Sequence, residues 1–213
     1  LNEEAIAHLQ PTNGNLHVHF TDVGLTAATF SLTRLALTHQ PDLIIQAGIA
    51  GSFRTPFTPG EVLLVQNESI GDLGVQEQQH WKDIFQLSLT HPNEHPFENG
   101  GLPNPYLQQF SFLHLPAVEA ISVNQISTDA ATIARMQQMN PTPVLESMEG
   151  AALHYVARQL SIPFIQIRAI SNRVGERDKS LWHFNTAIDQ LHIVLTQLLQ
   201  HLQQLPEAYS FKK

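Results

Sequence analysis

The sequence lacks cysteine and is poor in charged residues. Without cysteine among its 213 residues, the chain has no disulfides and no thiolate metal sites, and we expect a reducing, cytoplasmic environment. Nowhere does it approach the roughly 20 consecutive apolar residues of a membrane-spanning helix. Its formal net charge of -8 argues against a surface that neutralises nucleic-acid phosphates. These features exclude a disulfide scaffold, a membrane span and a nucleic-acid-binding protein.

The residues that are present alternate between strand and helix patterns. Hydrophobic residues make up 42% of the chain, enough for a substantial core at this length. Apolar runs predict strands over 15–20, 42–47, 61–67, 117–123, 143–146 and 163–170, and helical spacing predicts helices over 25–39, 129–139, 149–160 and about 180–204. Prolines indicate a long loop over 70–110. We therefore expect a single α/β domain over 1–213, with a central mixed, twisted sheet and helices on both faces.

Three polar or glycine-rich stretches follow predicted strands: "GIAGS" (48–52), "ESMEG" (146–150) and "SNRVGERD" (171–178). In open α/β sheets, ligands bind beyond the carboxyl ends of the strands. Glu149 begins a helix, where a carboxylate is favoured by the helix dipole. It could equally accept hydrogen bonds from the two vicinal hydroxyls of a ribose, while Met148 lines the apolar side of the sugar. Gly48 and Gly51 are compatible with a tight turn or with close approach of a ligand to the backbone.

The histidines do not predict a metal site. His17 and His19 share one face of a predicted strand and His91 and His95 lie in a proline-rich loop, but no third ligand has suitable spacing. We expect no metal and no cofactor.

The motifs resemble those of the nucleoside phosphorylase and nucleosidase superfamily. "DLIIQAGIAGSF", "PGEVLLVQNESIGDLG" and "ESMEGAALHYVARQLSIPFIQIRAISN" occur in the order typical of it. "SMEG" and an "ISN" ending followed by arginines look most like futalosine hydrolases. Methylthioadenosine/S-adenosylhomocysteine nucleosidases normally carry Asp in place of Asn172. The resemblance implies a nucleoside phosphorylase-like fold, a homodimer or larger homo-oligomer, and hydrolysis of an N-glycosidic bond, here of futalosine in menaquinone biosynthesis.

The same resemblance assigns roles to individual residues. Asn172 and Glu149 would be catalytic, with Glu149 on the ribose hydroxyls. Arg168 would be structural, paired with a carboxylate such as Glu146. The substrate-binding positions implied are Ile49, Ala50, Gly51, Gln125, Ile126, Met148 and Ser171, the last orienting Asn172.

Asn172 favours a 6-oxopurine base. Hypoxanthine places two acceptors, O6 and N7, side by side, and an amide NH2 supplies two donors without charge. An ionised Asp would instead face two acceptors. Asn172 could also merely cap the strand end.

Two further positions bear on the chemistry. Ile49 stands where phosphorolytic relatives carry a phosphate-binding hydroxyl, which favours water as the nucleophile. Arg173 and Arg177 are the guanidinium groups nearest in sequence to Asn172, and either could bind the benzoate of futalosine. They could equally be solvated loop charges paired with Glu176 and Asp178.

The amino terminus departs from the superfamily pattern. Relatives begin with a strand that leads to a glutamate positioning the attacking water, whereas "NEEAIAHL" reads as a helix fragment. We expect that this strand is missing from the chain, or that Glu3 or Glu4 substitutes for the glutamate. The alternatives are a purine nucleoside phosphorylase, a methylthioadenosine/S-adenosylhomocysteine nucleosidase, and an inactive purine-nucleoside binding protein.

Overall fold

The computed structural model describes residues 16–53, 56–78, 80–139, 141–206 and 211. Its helices are α1 (Leu25–His39), α2 (Ala130–Gln137), α3 (Gly150–Gln159) and α4 (Phe184–Gln203). Its strands are β1 (Ile44–Ser52), β2 (Val62–Ile70), β3 (Gly74–Glu77), β4 (His80–Asp83), β5 (Leu102–Pro103), β6 (Ala117–Ser122), β7 (Leu145–Ser147) and β8 (Phe164–Arg173). Short 3-10 helices cover Leu107–Leu113 and Lys179–Leu181. The expected glutamate at position 3 or 4 lies outside the described residues.

Local sequence accounts for the first two helices. In α1, buried Ala28, Leu32 and Ala36 recur every four residues and form one apolar face. The helix ends at Gln40, whose left-handed backbone lets its N–H donate to the Ala36 carbonyl. In α2, the Asp129 side chain accepts from the Thr132 N–H and so caps the start of the helix.

The main sheet is mixed and closes on itself. Its order is β5-β2-β6-β7-β1-β8, and β8 also pairs with β2. The pairs β1–β8, β2–β6 and β6–β7 are parallel, whereas β1–β7, β2–β8 and β2–β5 are antiparallel. The expectation of a mixed α/β sheet is confirmed. The closure of β2, β6, β7, β1 and β8 into a five-stranded ring was not predicted.

Three apolar layers hold the ring. On one side α1 and α3 pack together over Phe164, and on the other α4 packs over Ile165 and Ile167. A third cluster comes almost wholly from the ring strands and consists of Ala50, Leu63, Val65, Val118, Ala120, Val144, Leu145 and Ile170. Helices therefore cover two faces of the sheet, as expected. No helix in the described part of the chain is both long and apolar enough to cross a membrane.

Four predicted elements differ from the structure. The strand predicted over 42–47 begins at Ile44 and runs on to Ser52, so the stretch 48–52 lies inside β1 rather than after it. Residues 16–20, the described part of the expected strand 15–20, form no strand, because they pair with no sheet edge and four of the five are exposed. The expected loop 70–110 contains the β3–β4 hairpin, whose strands pair from Gly74 with Asp83 to Glu77 with His80. Strand β8 runs on to Arg173, so Asn172 lies inside the strand rather than after it.

We predict that Gly150→Ala destabilises the protein although it adds a better helix former. A β-carbon at this position would lie 1.8 Å from Oε1 of the buried Glu68 side chain. The overlap should lower the free energy of unfolding by about 1–3 kcal/mol, against the gain of about 1 kcal/mol expected for Gly→Ala in an open helix. Urea unfolding followed by circular dichroism measures the difference. The exposed Thr38→Ala in α1 is the control and should be neutral or slightly stabilising. An equally stable Gly150→Ala protein would contradict the close approach.

Candidate functional site

Strand β1 brings the three motif stretches together. Gly51 pairs with Glu146 of β7 on one side and with Asn172 of β8 on the other. A register shift between Ala50 and Gly51 interrupts the β1–β8 ladder at this point. Earlier in β1, the Gln46 side-chain amide donates to the Glu149 carbonyl at 3.3 Å. The stretch 48–52 therefore lies within β1, between Glu146 of the second stretch and Asn172 of the third. The three stretches meet, as expected, although the first lies inside a strand rather than after one.

Glu149 occupies the N-cap position of α3 but does not cap the helix. The Gly150 N–H donates to the Ser147 hydroxyl at 3.3 Å, and the Ala151 N–H donates to the Ser122 hydroxyl at 2.8 Å. These two hydroxyls satisfy N–H groups that a cap residue usually serves. The Glu149 carboxylate accepts instead from the Gly24 N–H at 3.1 Å, with 21% of its side chain exposed. The carboxylate is thus held at the surface of the site with capacity for a ligand.

Arg168 supplies the buried positive charge beside Glu149. Its Nη1 lies 3.9 Å from Oε2 of Glu149, and its Nη2 donates to Oε1 of Gln46 at 3.0 Å. Burial lowers the pKa of Arg168, and the negative charges of Glu149 and Glu68 oppose that shift. The expected partner, Glu146, is not the one found.

Glu146 instead anchors a loop, since its Oε1 accepts from the Ser127 N–H at 3.2 Å. The reason is topological: Glu146 pairs with Gly51 across β7 and β1, whereas Arg168 pairs with Gly48 on the other side of β1. Burial raises the pKa of the Glu146 carboxyl, and the bonds to Ser127 oppose that shift.

Asn172 is oriented by its neighbour, as the resemblance implied. The Ser171 hydroxyl donates to Asn172 Oδ1 at 2.7 Å, and Asn172 Nδ2 donates to the Arg173 carbonyl at 2.7 Å. A β-carbon on Gly51 would lie 3.5 Å from Asn172 Nδ2 and 3.1 Å from a methyl group of Val174. The side chain is half-buried, with its oxygen engaged and its nitrogen beside Gly51.

Gln125 and Ile126 lie in the loop after β6, which two carboxylates hold. Oδ2 of Asp72 accepts from the N–H groups of Asn124 at 2.6 Å and Gln125 at 3.1 Å. Glu146 holds the next part of the loop through Ser127. The loop adjoins the Glu149 side of the site, because a β-carbon on Gly24 would lie 4.0 Å from Oδ1 of Asn124.

The remaining predicted substrate positions lie on different faces. Ala50 is buried inside the ring, whereas Ile49 packs with the α4 layer on the opposite face of β1. Met148 is half-buried just before Glu149.

The two arginines after Asn172 differ in environment. Arg173 is half-buried and its Nη1 lies 3.4 Å from the Ser52 hydroxyl, while Arg177 is exposed with its guanidinium 5.6 Å from the centre of the Trp182 ring. The Glu176 carboxylate accepts from the Asp178 N–H. Arg177 therefore lies over the Trp182 ring at the protein surface, and Arg173 lies close to the end of β1.

The histidines of the first strand-like segment cluster with a third. The His17 and His39 rings are stacked with centroids 4.9 Å apart, and the His19 centroid lies 5.4 Å from that of His39. Burial, followed by the charges of His39, His17 and Arg34, lowers the pKa of His19. Nevertheless, no group of three metal-ligating side chains in the described ranges is arranged to hold a metal ion.

Sequence reasoning missed three polar residues behind the site. Glu68 and Gln166 are buried and Gln46 is half-buried. Gln46 and Gln166 lie among apolar residues of their strands, which was the available signal, whereas Glu68 follows Gln66 and Asn67 and did not stand out. Asp72 and Gly24, which position the 124–127 loop and Glu149, carried no distinctive pattern.

Comparison with known proteins identifies the family. The sequence model of the phosphorylase superfamily matches residues 12–203, most of the chain. This chain belongs to the phosphorylase superfamily. Among curated relatives, futalosine hydrolase of Streptomyces coelicolor is 26% identical over 153 residues, covering 70% of this chain and 62% of that protein. The 5'-methylthioadenosine/S-adenosylhomocysteine nucleosidase of Shewanella oneidensis is 27% identical over 165 residues, covering 72% of this chain and 64% of that protein. The aligned part of this superfamily member thus spans less than two thirds of either relative.

Solved structures of the superfamily share the fold. The 5'-methylthioadenosine/S-adenosylhomocysteine nucleosidase from Neisseria meningitidis, in complex with methylthio-immucillin-A, superposes with a TM-score of 0.74 at 14% identity, covering 96% of both chains. The nucleoside phosphorylase-like architecture expected from the motifs is confirmed.

We predict that Asp72→Ala loosens the loop that carries Gln125 and Ile126. Loss of two hydrogen bonds to a charged acceptor should speed amide hydrogen exchange at Asn124 and Gln125 by about 5- to 30-fold. Exchange measured by NMR on the two proteins tests this. The control is Asp178→Ala, which removes an equivalent bond to the Ser180 N–H in another loop and should leave positions 124 and 125 unchanged. Unaltered exchange in Asp72→Ala would show that other contacts hold the loop.

Proposed function

We propose that this chain is a nucleosidase that hydrolyses the N-glycosidic bond of a 6-oxopurine nucleoside. Futalosine is the preferred candidate, with hypoxanthine as the released base. The observation that carries the proposal is the 2.7 Å hydrogen bond from the Ser171 hydroxyl to Oδ1 of Asn172. This bond holds the amide with its oxygen toward Ser171 and its NH2 group toward Gly51 and the Arg173 carbonyl, so the NH2 group is the part of the side chain that is placed to donate to a base.

At the base end, a donor matches a 6-oxopurine better than an adenine. Hypoxanthine presents O6 and N7 as adjacent acceptors, and the amide nitrogen of Asn172 meets them as a neutral donor. One of its N–H groups donates to the Arg173 carbonyl, and a base would take the second N–H or displace that carbonyl. Gly51 adjoins this nitrogen, since a β-carbon on it would lie 3.5 Å from Nδ2 and 3.1 Å from a Val174 methyl group.

At the sugar end, Glu149 is suited to a vicinal diol. Its carboxylate is fixed on one side by the Gly24 N–H and has lone pairs left for two hydroxyls. Arg168 lies behind it and balances its charge. Met148, half-buried and adjacent, offers a soft apolar contact to the ring of the sugar.

The proposed reaction breaks the bond between the base nitrogen and C1 of the sugar. Positive charge develops on the sugar as the bonding electrons move into the base. The oxygen of water adds to the opposite face of C1, and the proton that this water loses neutralises the departing base. Asn172 would stabilise the electron-rich base through hydrogen bonds that strengthen as the bond breaks. Glu149 would hold the sugar in place and favour the developing positive charge nearby. The residues assigned to these steps require no cofactor.

A second candidate is hydrolysis of methylthioadenosine or S-adenosylhomocysteine. Its support is the 27% identity to a 5'-methylthioadenosine/S-adenosylhomocysteine nucleosidase. The identity to futalosine hydrolase, 26%, is nearly the same. The discriminating experiment incubates the full chain with futalosine, inosine and methylthioadenosine and follows release of the free base by chromatography. Preferred release of adenine would replace the futalosine proposal with this one.

We predict hydrolysis rather than phosphorolysis. Ile49 offers no hydroxyl to a phosphate, and its side chain packs into the α4 layer. The rate of base release should therefore be the same with and without added phosphate, and the sugar product should be free of phosphate by mass spectrometry. Detection of a sugar 1-phosphate would contradict the proposal that the chain is a hydrolase.

We predict that Asn172→Asp reverses the base preference. Loss of one donor and a carboxylate set against O6 should cost about 2–4 kcal/mol of transition-state stabilisation, roughly 30- to 1000-fold in kcat/KM, for a hypoxanthine nucleoside. The matched adenine nucleoside should gain relative to it, because a protonated Asp donates to N7 and accepts from the amine.

Two variants serve as controls for this measurement. Asn172→Ala should damage both substrates, and Asn185→Asp, on the exposed side of α4, makes the same chemical change away from the site and should alter neither. If Asn172→Asp leaves the ratio of the two kcat/KM values unchanged, the asparagine only shapes the strand end.

A further inference from the structure

Glu68 is a fully buried carboxyl group between the strands of the ring and the start of α3. It lies in β2, is 0% exposed, and has both oxygens engaged by neighbouring strands. Its Oε1 accepts from the Gln166 side-chain amide at 2.8 Å, and its Oε2 accepts from the Ser122 hydroxyl at 3.1 Å. A carboxyl group taken this far from water is costly in its ionised form unless a cation compensates it.

The backbone around Glu68 is shaped to admit it. A β-carbon on Gly150 would lie 1.8 Å from Oε1 of Glu68, and one on Gly48 would lie 2.5 Å from Nη1 of Arg168. Both glycines belong to the motifs that surround the candidate site. These glycines leave space for the buried carboxyl group of Glu68 and the buried guanidinium of Arg168. We infer that both side chains belong to the architecture of the site.

Glu68 is connected to Glu149 through the start of α3. The Ser122 hydroxyl that donates to Glu68 also accepts from the Ala151 N–H at 2.8 Å. Since a hydroxyl has one hydrogen, its bond to Glu68 directs a lone pair of Ser122 toward the helix. The first turn of α3, which begins just after Glu149, is thereby fixed from β2 through β6.

One cation serves two acids in this buried region. Arg168 is 3.9 Å from Glu149 Oε2 and its charge also acts on Glu68. His154, on the adjacent face of α3, contributes no positive charge, because burial lowers its pKa to about 3. Its Nδ1 lies 2.6 Å from the Leu102 carbonyl and donates to it. With both glutamates ionised the group would carry a net negative charge.

Desolvation therefore decides the state of Glu68. Burial raises the pKa of Glu68 to about 7; the bond from Gln166, the charge of Arg168 and the bond from Ser122 oppose the rise, and the charge of Glu149 adds to it. The orientation of the Gln166 amide bears on this proton. Oε1 of Gln166 and Nε2 of His154 are buried acceptors without a hydrogen-bond partner among the described residues, and the two side chains interact with each other. If the Gln166 amide is rotated by 180°, its oxygen accepts a hydrogen bond from the protonated carboxyl group of Glu68 and its NH2 group can donate to the His154 ring.

We propose that Glu68 is a positioning residue of the site that carries a proton in its working state. Protonated Glu68 leaves the charge of Arg168 to Glu149, whereas ionised Glu68 competes with Glu149 for it and disturbs the start of α3. The effect on substrate rests on the proposed function, because it assumes that Glu149 holds the sugar. The protonation itself does not depend on that function.

The first test uses stability and needs no substrate. A free Glu has a pKa of 4.5 and folded Glu68 one of about 7, so the folded state keeps a proton that the unfolded chain releases. The stabilising contribution is therefore complete below about pH 4.5, falls as the pH rises to about 7, and is constant above that. Glu68→Gln keeps one donor and one acceptor but cannot ionise. The melting temperature of Glu68→Gln relative to wild type should rise between pH 5.5 and pH 8. The control, Glu119→Gln on neighbouring β6, removes a half-buried carboxylate that accepts from the Gln66 and Asn67 side chains and does not contact Glu68, Gln166 or Arg168 in the hydrogen bonds described. It should show a constant difference.

The second test uses kinetics with the nucleoside found to be cleaved. Between pH 6 and pH 8 a group titrating near 7 passes from about 90% to about 10% protonated. We expect wild-type kcat/KM, relative to its own value at pH 6, to fall by up to about tenfold, mainly through KM. In Glu68→Gln the fall should be less than about twofold, while Glu119→Gln should follow wild type.

The outcomes separate the two proposals. A melting difference for Glu68→Gln that does not vary with pH would overturn protonation of Glu68. A pH-dependent melting difference with an unchanged kinetic profile would overturn its positioning role. If no nucleoside is cleaved, the proposed function fails, and the melting measurement still decides the state of Glu68.

Discussion

The buried guanidinium of Arg168 is the constraint around which the site is organised. A cation that is 3% exposed is stable only where carboxylates and carbonyls compensate it. Here Gln46, the Ile49 carbonyl and Glu149 surround it, and Gly48 leaves the space it occupies. The placement of Glu149, and with it the sugar end of the proposed site, follows from satisfying this one charge.

The ring of strands makes that arrangement possible. Strand β1 lies between β7 and β8, so residues from three distant stretches meet along one strand. Serine hydroxyls from β6 and β7 serve the first N–H groups of α3, which spares the Glu149 carboxylate from capping its own helix. The same hydroxyl of Ser122 links Glu68 to the helix start. Helix capping, charge compensation and the candidate site are therefore parts of one hydrogen-bonded network.

Elements with a strong local signal were predicted well, and the exceptions have physical causes. The bounds predicted for α1 agree with the structure, and Asp129 caps α2. The segment 15–20 alternates like a strand, but alternation forms a strand only where a free sheet edge accepts its hydrogen bonds. The β3–β4 hairpin escaped notice because its four-residue strands carry little apolar periodicity. Within the candidate site, Ser171 orients Asn172 as the motif implied, whereas the partner of Arg168 differs.

The sequence by itself determined the helices, most strands of the main sheet and the motifs that meet at the site, because those signals depend on residues a few positions apart. Only the tertiary structure decided which buried polar groups pair. Glu68 and Gln166 are 98 positions apart, and Arg168 and Gln46 are 122 apart. Closing the ring is what brings such residues within hydrogen-bonding distance. Because a buried polar atom must bond to whatever the fold places beside it, the pairing of Arg168 with Glu149 rather than Glu146 followed from the order of the strands.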